Sequence, residues 1–397
     1  MKNKVVVDTN ALLQHIEVLD IDNSIIIPEI VLHELDKLKV GITDTAFRAR
    51  QAVRKLKSKK DIFYDHTFGK QHPAAQLSND DVIVACAEFH DASLISGDFL
   101  AQLKAKSLGV DVYEPDDAYS EDSYCGYKEI TMNESEMAYF YENRNINKYN
   151  LLNNEYIIIL RESGQPVDVK KWNGKEFVDC AEKNLSTVAM GKFKPLDMHQ
   201  IAAIDSLITN DITLLRGKAG SGKSLLAFTY AMHQLEKGRI NKLICLVNPV
   251  PVRGAQEIGF YKGDKNEKLL QSGIGNLLIS KLGSKEEVEA LIATGRLVLI
   301  PFVDIRGYDT GDKSLVWISE AQNLSVDLMK LGLQRIGKGS QIIIDGDDKT
   351  QVDSDAYAGI NNGIKRTSAV FRGEQLYGEV EFKTIYRSKI AAIADRM

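Results

Sequence analysis

The sequence predicts an α/β protein built as two parallel-sheet domains, residues 1–120 and 191–397, joined by a small β-rich linker module over residues 121–190. Three features lead to this reading. From residue 4 to about 114, short apolar runs alternate with amphipathic stretches, the pattern of strands and helices in turn. Between about 115 and 182 the runs YIIIL, VDVKKW and EFVDC are separated by turn residues instead of helices. From about residue 191 the apolar segments ITLL, KLICLV, RLVLI, LVWI and QIIID recur with helical segments between them.

Taken in order, residues 5–7 and 25–27 read as buried strands, 30–38, 44–56 and 80–88 as helices, and 93–96 as a further strand. Crossover connections of this kind favour a parallel sheet. The stretch PDDAYSEDSYCGY is acidic and polar and leads into the β module. There, Asn173-Gly174 is the strongest hairpin signal, because both residues tolerate the positive φ of a type I′ turn. In the C-terminal segment, helix starts are signalled at residues 221–224 and at Asp327.

A chain of 397 residues is too long for one small stapled module. With 44% hydrophobic and 26% charged residues it belongs to the ordinary globular class, which excludes disorder, collagen and coiled coil as whole-chain descriptions. Lys+Arg 50 against Asp+Glu 55 leaves −5, so no general field attracts nucleic acid or anionic membrane, and any polyanion must be bound locally. Cys86, Cys125, Cys180 and Cys245 lie far apart without a CxxC or a cysteine–histidine cluster. That argues against a zinc site and a disulfide framework and fits a reducing cytosol. The N-terminal segment turns polar after three valines, and no run approaches the roughly 18 apolar residues of a membrane span. A soluble, cytoplasmic protein without membrane contact is expected.

Gly217-Lys218-Ala219-Gly220-Ser221-Gly222-Lys223-Ser224 matches GxxxxGK[ST], directly after the strand 212–215 and before an amphipathic run. In this setting glycines let backbone N–H groups close around phosphate at a helix N-terminus, Lys223 reaches the β/γ oxygens, and the Ser224 hydroxyl ligates Mg²⁺. ATP and Mg²⁺ are therefore the expected cofactors. A Walker B element is an apolar strand ending in acids. Here LVWI-Ser319-Glu320 supplies the strand and Glu320, either as the water-orienting base or as a strand-end charge, but lacks the usual aspartate. Ser319 can only hydrogen-bond a metal-bound water, which predicts slow hydrolysis. The segment IIIDGDDKTQVD places polar groups beyond a third strand end, where Gln351 could sense the γ-phosphate or the acids could cap the next helix.

These residues resemble the PhoH-like ATPases: GKAGSGKS, SEAQN in place of DEAQN, GDDKTQVD and YRSKIA follow in the same order and spacing. The resemblance includes Asn248-Pro249-Val250-Pro251, Glu257-Ile258-Gly259-Phe260, Gly263-Asp264 and the Arg306-Gly307 pair, and so spans nearly all of residues 195–397. It implies a RecA-like P-loop ATPase core assembled as a ring, with a hexamer expected. It further implies Gln200 as the adenine-reading glutamine and Arg387 as an arginine finger reaching a neighbour's γ-phosphate. The sequence departs from the family at Ser319, at Asn248, where an arginine is usual, and at YKGD followed by LLQSG.

In the N-terminal domain, Asp8 ends the first strand, Glu34 sits in VLHELDKLK, Asp80 opens a helical run and Asp98 follows the strand LISG. All four fall near the top of a parallel sheet. Converging carboxylates either bind Mg²⁺ or Mn²⁺ or shift their pKa values. Each alone is equally an N-cap or a solvated helix residue. Together, DTN, HELDKLK, ARQAVRKL, NDDVIVACA and SGDFL resemble a PIN-domain ribonuclease over residues 1 to about 115. That resemblance implies Asp8, Glu34, Asp80 and Asp98 as catalytic metal ligands, with Thr9 and Asn10 completing the first motif and Asp81 in reserve. Arg50 and Arg54 are then candidates for RNA phosphate, or solvated helix charges.

A PIN-like domain ahead of a PhoH-like motor implies ATP-dependent RNA unwinding coupled to endonucleolytic cleavage, with single-stranded RNA drawn toward the acid cluster. Lys170, Lys171 and Trp172 of the β module are candidates to track and stack a strand, or core and solvent residues. Two rival readings follow from the same residues: an ATP-gated ribonuclease with weak turnover because of Ser319, and a nucleotide-dependent RNA-binding scaffold.

Overall fold

The computed structural model describes residues 2–40, 44–76, 78–115, 124–181, 184–247, 269–270, 273–352 and 362–386. The chain divides into two compact units, one within Met1–Ser123 and one from Tyr124 onward.

The first unit runs β1 (Lys4–Val7), α1 (Thr9–Gln14), β2 (Ser24–Pro28), α2 (Glu29–Leu38), α3 (Asp44–Ser58), β3 (Ile62–Asp65), α4 (Asn79–Phe89), β4 (Ser93–Ile95), α5 (Phe99–Ser107) and β5 (Val112–Tyr113). Its five strands form a parallel sheet in the order β3-β2-β1-β4-β5. Val5, Val6 and Val7 are all fully buried, as expected of a central parallel strand covered on both faces. Burying each such side chain contributes roughly 1.5–3 kcal/mol before entropy is counted. The chain passes from β1 to one side of the sheet and later crosses to the other at β4. The crevice beyond the carboxyl ends of these two strands is thus a topological switch point.

The second unit runs β6 (Tyr127–Thr131), α6 (Glu134–Glu142), β7 (Tyr156–Leu160), β8 (Pro166–Trp172), β9 (Phe177–Asp179), β10 (Leu185–Thr187), β11 (Gly191–Phe193), α7 (Met198–Thr209), β12 (Ile212–Gly217), α8 (Lys223–Glu236) and β13 (Lys242–Val247). It continues with α9 (Gly273–Leu282), α10 (Lys285–Ala293), β14 (Leu297–Pro301), β15 (Ser314–Ile318), α11 (Val326–Leu333), β16 (Gln341–Gly346), α12 (Gly363–Phe371) and β17 (Tyr377–Phe382). Six strands form a parallel sheet in the order β14-β13-β15-β16-β12-β17. β6 to β9 form a separate four-stranded sheet.

That small sheet belongs to the second compact unit, and its contacts explain why. Buried Asp205 of α7 accepts from Tyr156 Oη at 2.7 Å and from the Ala181 N–H at 2.7 Å, and it pairs with Lys171 at 3.2 Å. Gly126 (φ +82°) passes so close to the Glu379 carbonyl that a Cβ would stand 1.7 Å from its oxygen, so only glycine fits.

Of the two alternatives for Lys170, Lys171 and Trp172, the structure takes the core one: they are buried at 5%, 7% and 9% exposure, with Lys170 pairing with Asp168 and Asp179. The expected turn type is corrected. At the β8–β9 turn only Gly174 takes positive φ. The Asn173 carboxamide oxygen accepts from the Lys175 and Glu176 N–H groups, an Asx turn in a longer loop in place of type I′.

Candidate active sites of the two units

In the first unit, β1 and β4 lie side by side and deliver Asp8 and Asp98 to the same sheet end. Asp8 stands at the N-cap of α1, yet its side chain makes no capping bond. It is 5% exposed and instead accepts from the Ser96 hydroxyl at 2.6 Å. Burial pushes its carboxyl up to about 6, with the charges of Asp80 and Glu34 adding to the rise and the Ser96 hydrogen bond and the nearby Asn10 backbone amide opposing it. Asp80, half-buried in the first turn of α4, is also raised, by burial and then by the Asp98 charge. Glu34 on α2 accepts from the Thr9 hydroxyl and from Asn79 Nδ2, the latter at 2.6 Å. Asp98 caps α5, accepting from Leu100 and Ala101 N–H at 2.8 and 3.0 Å through one oxygen.

Asp81 turns elsewhere: it accepts from Ser78 Oγ at 2.6 Å and pairs with Lys104 at 2.9 Å. Asp80 is therefore the acid whose charge couples to Asp8, Glu34 and Asp98. Among the described residues, no three of these four carboxylates bring oxygens within 4.8 Å of one another. The donors are hard oxygens, and burial, with like charge adding to it, raises two of them, a set that a divalent cation would relieve. Arg50 donates to the Lys39 carbonyl at 2.8 Å, and Arg54 is exposed on α3.

Sequence reasoning passed over Ser96, whose hydroxyl bonds Asp8 and accepts the Asp98 N–H at 3.0 Å, and over α5, whose start that bond helps to set. It also set aside any cysteine–histidine cluster. Cys86 and His90 lie one turn apart near the end of α4 and meet Asp65 from β3, with one ligand atom of each within 4.8 Å of the others. The i, i+4 spacing was the available signal. The His90 ring pairs directly with Asp65, and although burial would raise that carboxyl, His90 and Thr67 hold it below its ordinary value. Burial pushes the Cys86 thiol up, keeping it protonated.

In the second unit, β12 runs into the loop 217–222 and α8 begins at Lys223. Gly217, Gly220 and Gly222 all take positive φ, at 141°, 83° and 94°. At Gly217 a Cβ would also meet the Phe382 carbonyl oxygen at 2.7 Å, so the tight loop needs glycine there. Lys223 Nζ donates to the Gly217 and Lys218 carbonyls at 2.5 and 3.0 Å, drawn across the loop. The Ser221 hydroxyl is buried without a hydrogen-bond partner. Lys218 is exposed, and Ala219, Gly220 and Ser224 are half-buried. An ammonium over the loop, an unsatisfied hydroxyl within it and the N-terminus of a 14-residue helix fit an anionic phosphate group.

Gln200 lies in the first turn of α7, 2% exposed. Its Oε1 accepts the Leu196 N–H at 2.8 Å, and its Nε2 would lie 3.4 Å from a Cβ at Gly222. Tyr386, which sequence reasoning noted only as part of a motif, donates its N–H to the Gly220 carbonyl at 3.0 Å and its hydroxyl to Asp197 at 2.7 Å. Glu320 follows β15 in a left-handed conformation (φ 55°) that costs about 1 kcal/mol for a non-glycine residue, and Gln322 Nε2 donates to its carboxylate at 2.6 Å.

At the end of β16 and just beyond it the acids separate in role. Asp347 accepts the Thr350 N–H at 3.0 Å, and Asp348 is locked bidentate to Arg216 at 3.0 and 2.8 Å. Asp345 is pushed up to about 6 by burial and the Glu320 charge, against the Trp317 hydrogen bond, the Lys223 charge and the Ser319 hydrogen bond. Gln351 is exposed. Arg387, residues 248–251, 257–260, Gly263 and Asp264 lie outside the described residues. No helix among the described residues is long and apolar enough to cross a membrane.

The PIN domain family matches residues 5–115 and the PhoH-like protein family residues 192–395. Protein PhoH2 of Bacillus subtilis (strain 168) is 27% identical, covering 98% of both chains. Protein PhoH2 of Thermobispora bispora is 24% identical over 95% of this chain and 91% of its own. A PhoH-like protein of Bacillus subtilis (strain 168) is 32% identical over 51% of this chain and 63% of its own. With a nuclease-type PIN domain ahead of a P-loop, ATPase-like PhoH domain, the chain belongs to the PhoH-like protein family.

Proposed function

We propose that this protein is an ATP-dependent RNA helicase coupled to a metal-dependent endoribonuclease, acting on single-stranded RNA in the cytoplasm. The observation that supports this reading most is that one chain carries both an oxygen-rich acid cluster at a sheet switch point and a phosphate-shaped loop at a helix N-terminus. We assign cleavage to residues 1–120 and ATP use to residues 191–397, with residues 121–190 between them.

In the nuclease site, Asp8, Glu34, Asp80 and Asp98 would hold Mg²⁺ or Mn²⁺, which when bound activates water and neutralises charge on the phosphodiester. Ser96 orients Asp8, while Thr9 and Asn79 orient Glu34, so two carboxylates are fixed before any cation arrives. In the ATPase site, the backbone N–H groups of residues 218–222 and the Lys223 ammonium bind the β/γ-phosphates of ATP. The Ser224 hydroxyl serves Mg²⁺, and Glu320, held by Gln322, orients the attacking water. Gln200 reads adenine and Gln351 senses the γ-phosphate. Arg387 acts across a subunit boundary in a homo-oligomeric ring, taken as a hexamer.

The test is steady-state ATP hydrolysis with and without single-stranded RNA and Mg²⁺. Turnover stimulated by RNA and abolished in Lys223→Ala is the expected result. Absent turnover in the wild type would remove the motor and leave the second reading, an ATP-gated ribonuclease, for which Ser319 in place of an aspartate is the specific support.

A further inference from the structure

Ser319 leaves the end of β15 without the carboxylate that a P-loop Mg²⁺ site requires. The structure holds a carboxylate one strand away. β16 lies between β15 and the P-loop strand β12, and Ile318 pairs laterally with Ile344, so Asp345 stands beside Ser319 at the same level of the sheet. The opposite edge of β16 pairs Asp345 with Leu215 of β12, two residues before the loop begins.

The side chain is 1% exposed, and its two oxygens divide their partners. Oδ2 accepts the Trp317 indole N–H at 2.8 Å, which fixes the plane of the group. Oδ1 accepts from Ser319 Oγ at 3.1 Å, and the Glu320 N–H and the Ser224 hydroxyl approach it at 3.4 Å. One oxygen thus faces the serine of the phosphate loop, the serine that stands where an aspartate is usual and the backbone of the candidate water-orienting glutamate. A partner for the Trp317 indole alone would need one acceptor and no charge. A fully buried carboxylate is costly unless something compensates it.

We propose that Asp345 supplies the carboxylate of the magnesium–nucleotide site, carried on β16 in place of the end of β15, and that Ser319 is its hydrogen-bonding partner. This rests on the reading of residues 217–224 as an ATP site. Asp345 accepts the Ser224 hydroxyl and would steady the coordination shell of Mg²⁺, while Ser319 keeps the carboxylate turned toward the loop. Restoring the usual aspartate is then harmful by itself. In Ser319→Asp a second carboxylate stands against Asp345 where the hydroxyl now donates, and the like charges oppose each other.

The test is equilibrium binding of a fluorescent ADP analogue to the full chain, with Mg²⁺ or with a chelator, and thermal melting of each variant alongside. In the wild type Mg²⁺ strengthens nucleotide binding. Asp345→Asn keeps an acceptor for Trp317 but loses roughly tenfold or more of the Mg²⁺-dependent strengthening, read as the ratio of its own affinities with Mg²⁺ and with chelator, the scale on which supporting ligands act. Ser319→Asp loses it as well, and the exchange Ser319→Asp/Asp345→Asn regains it. That regain reads the charge at the site even if Asp345→Asn alone folds poorly. Undiminished Mg²⁺ strengthening in Asp345→Asn overturns the inference, as does full strengthening in Ser319→Asp with no gain in the exchange. Failure of the ATP-site reading looks different: the wild type would bind no nucleotide in either condition, and Lys223→Ala would be indistinguishable from it.

Discussion

The Ser96 hydroxyl donates to Asp8 Oδ2 at 2.6 Å and so ties the end of β4 to the most deeply buried acid of the proposed nuclease cluster. This bond stabilises the ionised form of Asp8, whose carboxyl stands at about 6 even with it. Ser96→Ala is expected to raise that carboxyl further and move the acid limb of the RNA-cleavage profile to higher pH. A roughly tenfold to hundredfold loss of metal affinity should accompany it, the usual scale for a partner of a metal ligand. A pH–rate profile taken at several Mg²⁺ concentrations checks this, because a merely structural defect would scale the whole profile without shifting it.

Asp8 also makes stability depend on pH in the absence of metal. Its carboxyl lies near 6 in the folded chain against an ordinary 3.8, so the folded state retains a proton that the unfolded state releases between about pH 4 and 6. Stability of the first unit should therefore fall as pH rises through that window, by roughly 3 kcal/mol at most from this group. Denaturant unfolding in chelator from pH 4 to 7 should show this slope in the wild type and a flatter one in Asp8→Asn. Added Mg²⁺ should then stabilise the wild type more than the variant at pH 7.

Arg216, on the residue before the phosphate loop, is held by Asp348 in bidentate fashion and by Glu379 at 2.9 Å, with Ser368 and Tyr377 each donating to Glu379 at 2.6 Å. Removing one partner leaves the others charged and buried. Asp348→Ala should cost about 3–5 kcal/mol, the range for breaking a buried pair, read as a lower urea midpoint. Nucleotide affinity should fall with it, since Arg216 adjoins Gly217.

Much of this arrangement is legible in the chain itself. Asp8 and Asp98 stand just past apolar runs, Glu34 and Asp80 stand on the helices beside them, and parallel-sheet topology brings such positions together. The phosphate loop is legible because its glycines serve a local backbone need. Ser96 is not, since a serine after a strand has many uses and this one depends on where β1 lies. Asp345 depends on the lateral register of β15 and β16, which periodicity along one strand does not specify. β17, reading YGEVEF, hides for another reason: Glu379 is buried against Arg216, so a core strand carries the pattern of a surface one.

The central claim, that ATP use in one domain drives RNA cleavage by the other, is tested most directly by degradation of a partly duplex RNA with and without ATP, for wild type, Lys223→Ala and Asp8→Asn. Wild type should degrade the duplex portion only with ATP. Lys223→Ala should cleave single strands alone, and Asp8→Asn should hydrolyse ATP and separate strands without cutting. Duplex degradation at equal rates with and without ATP, unchanged in Lys223→Ala, would contradict the account.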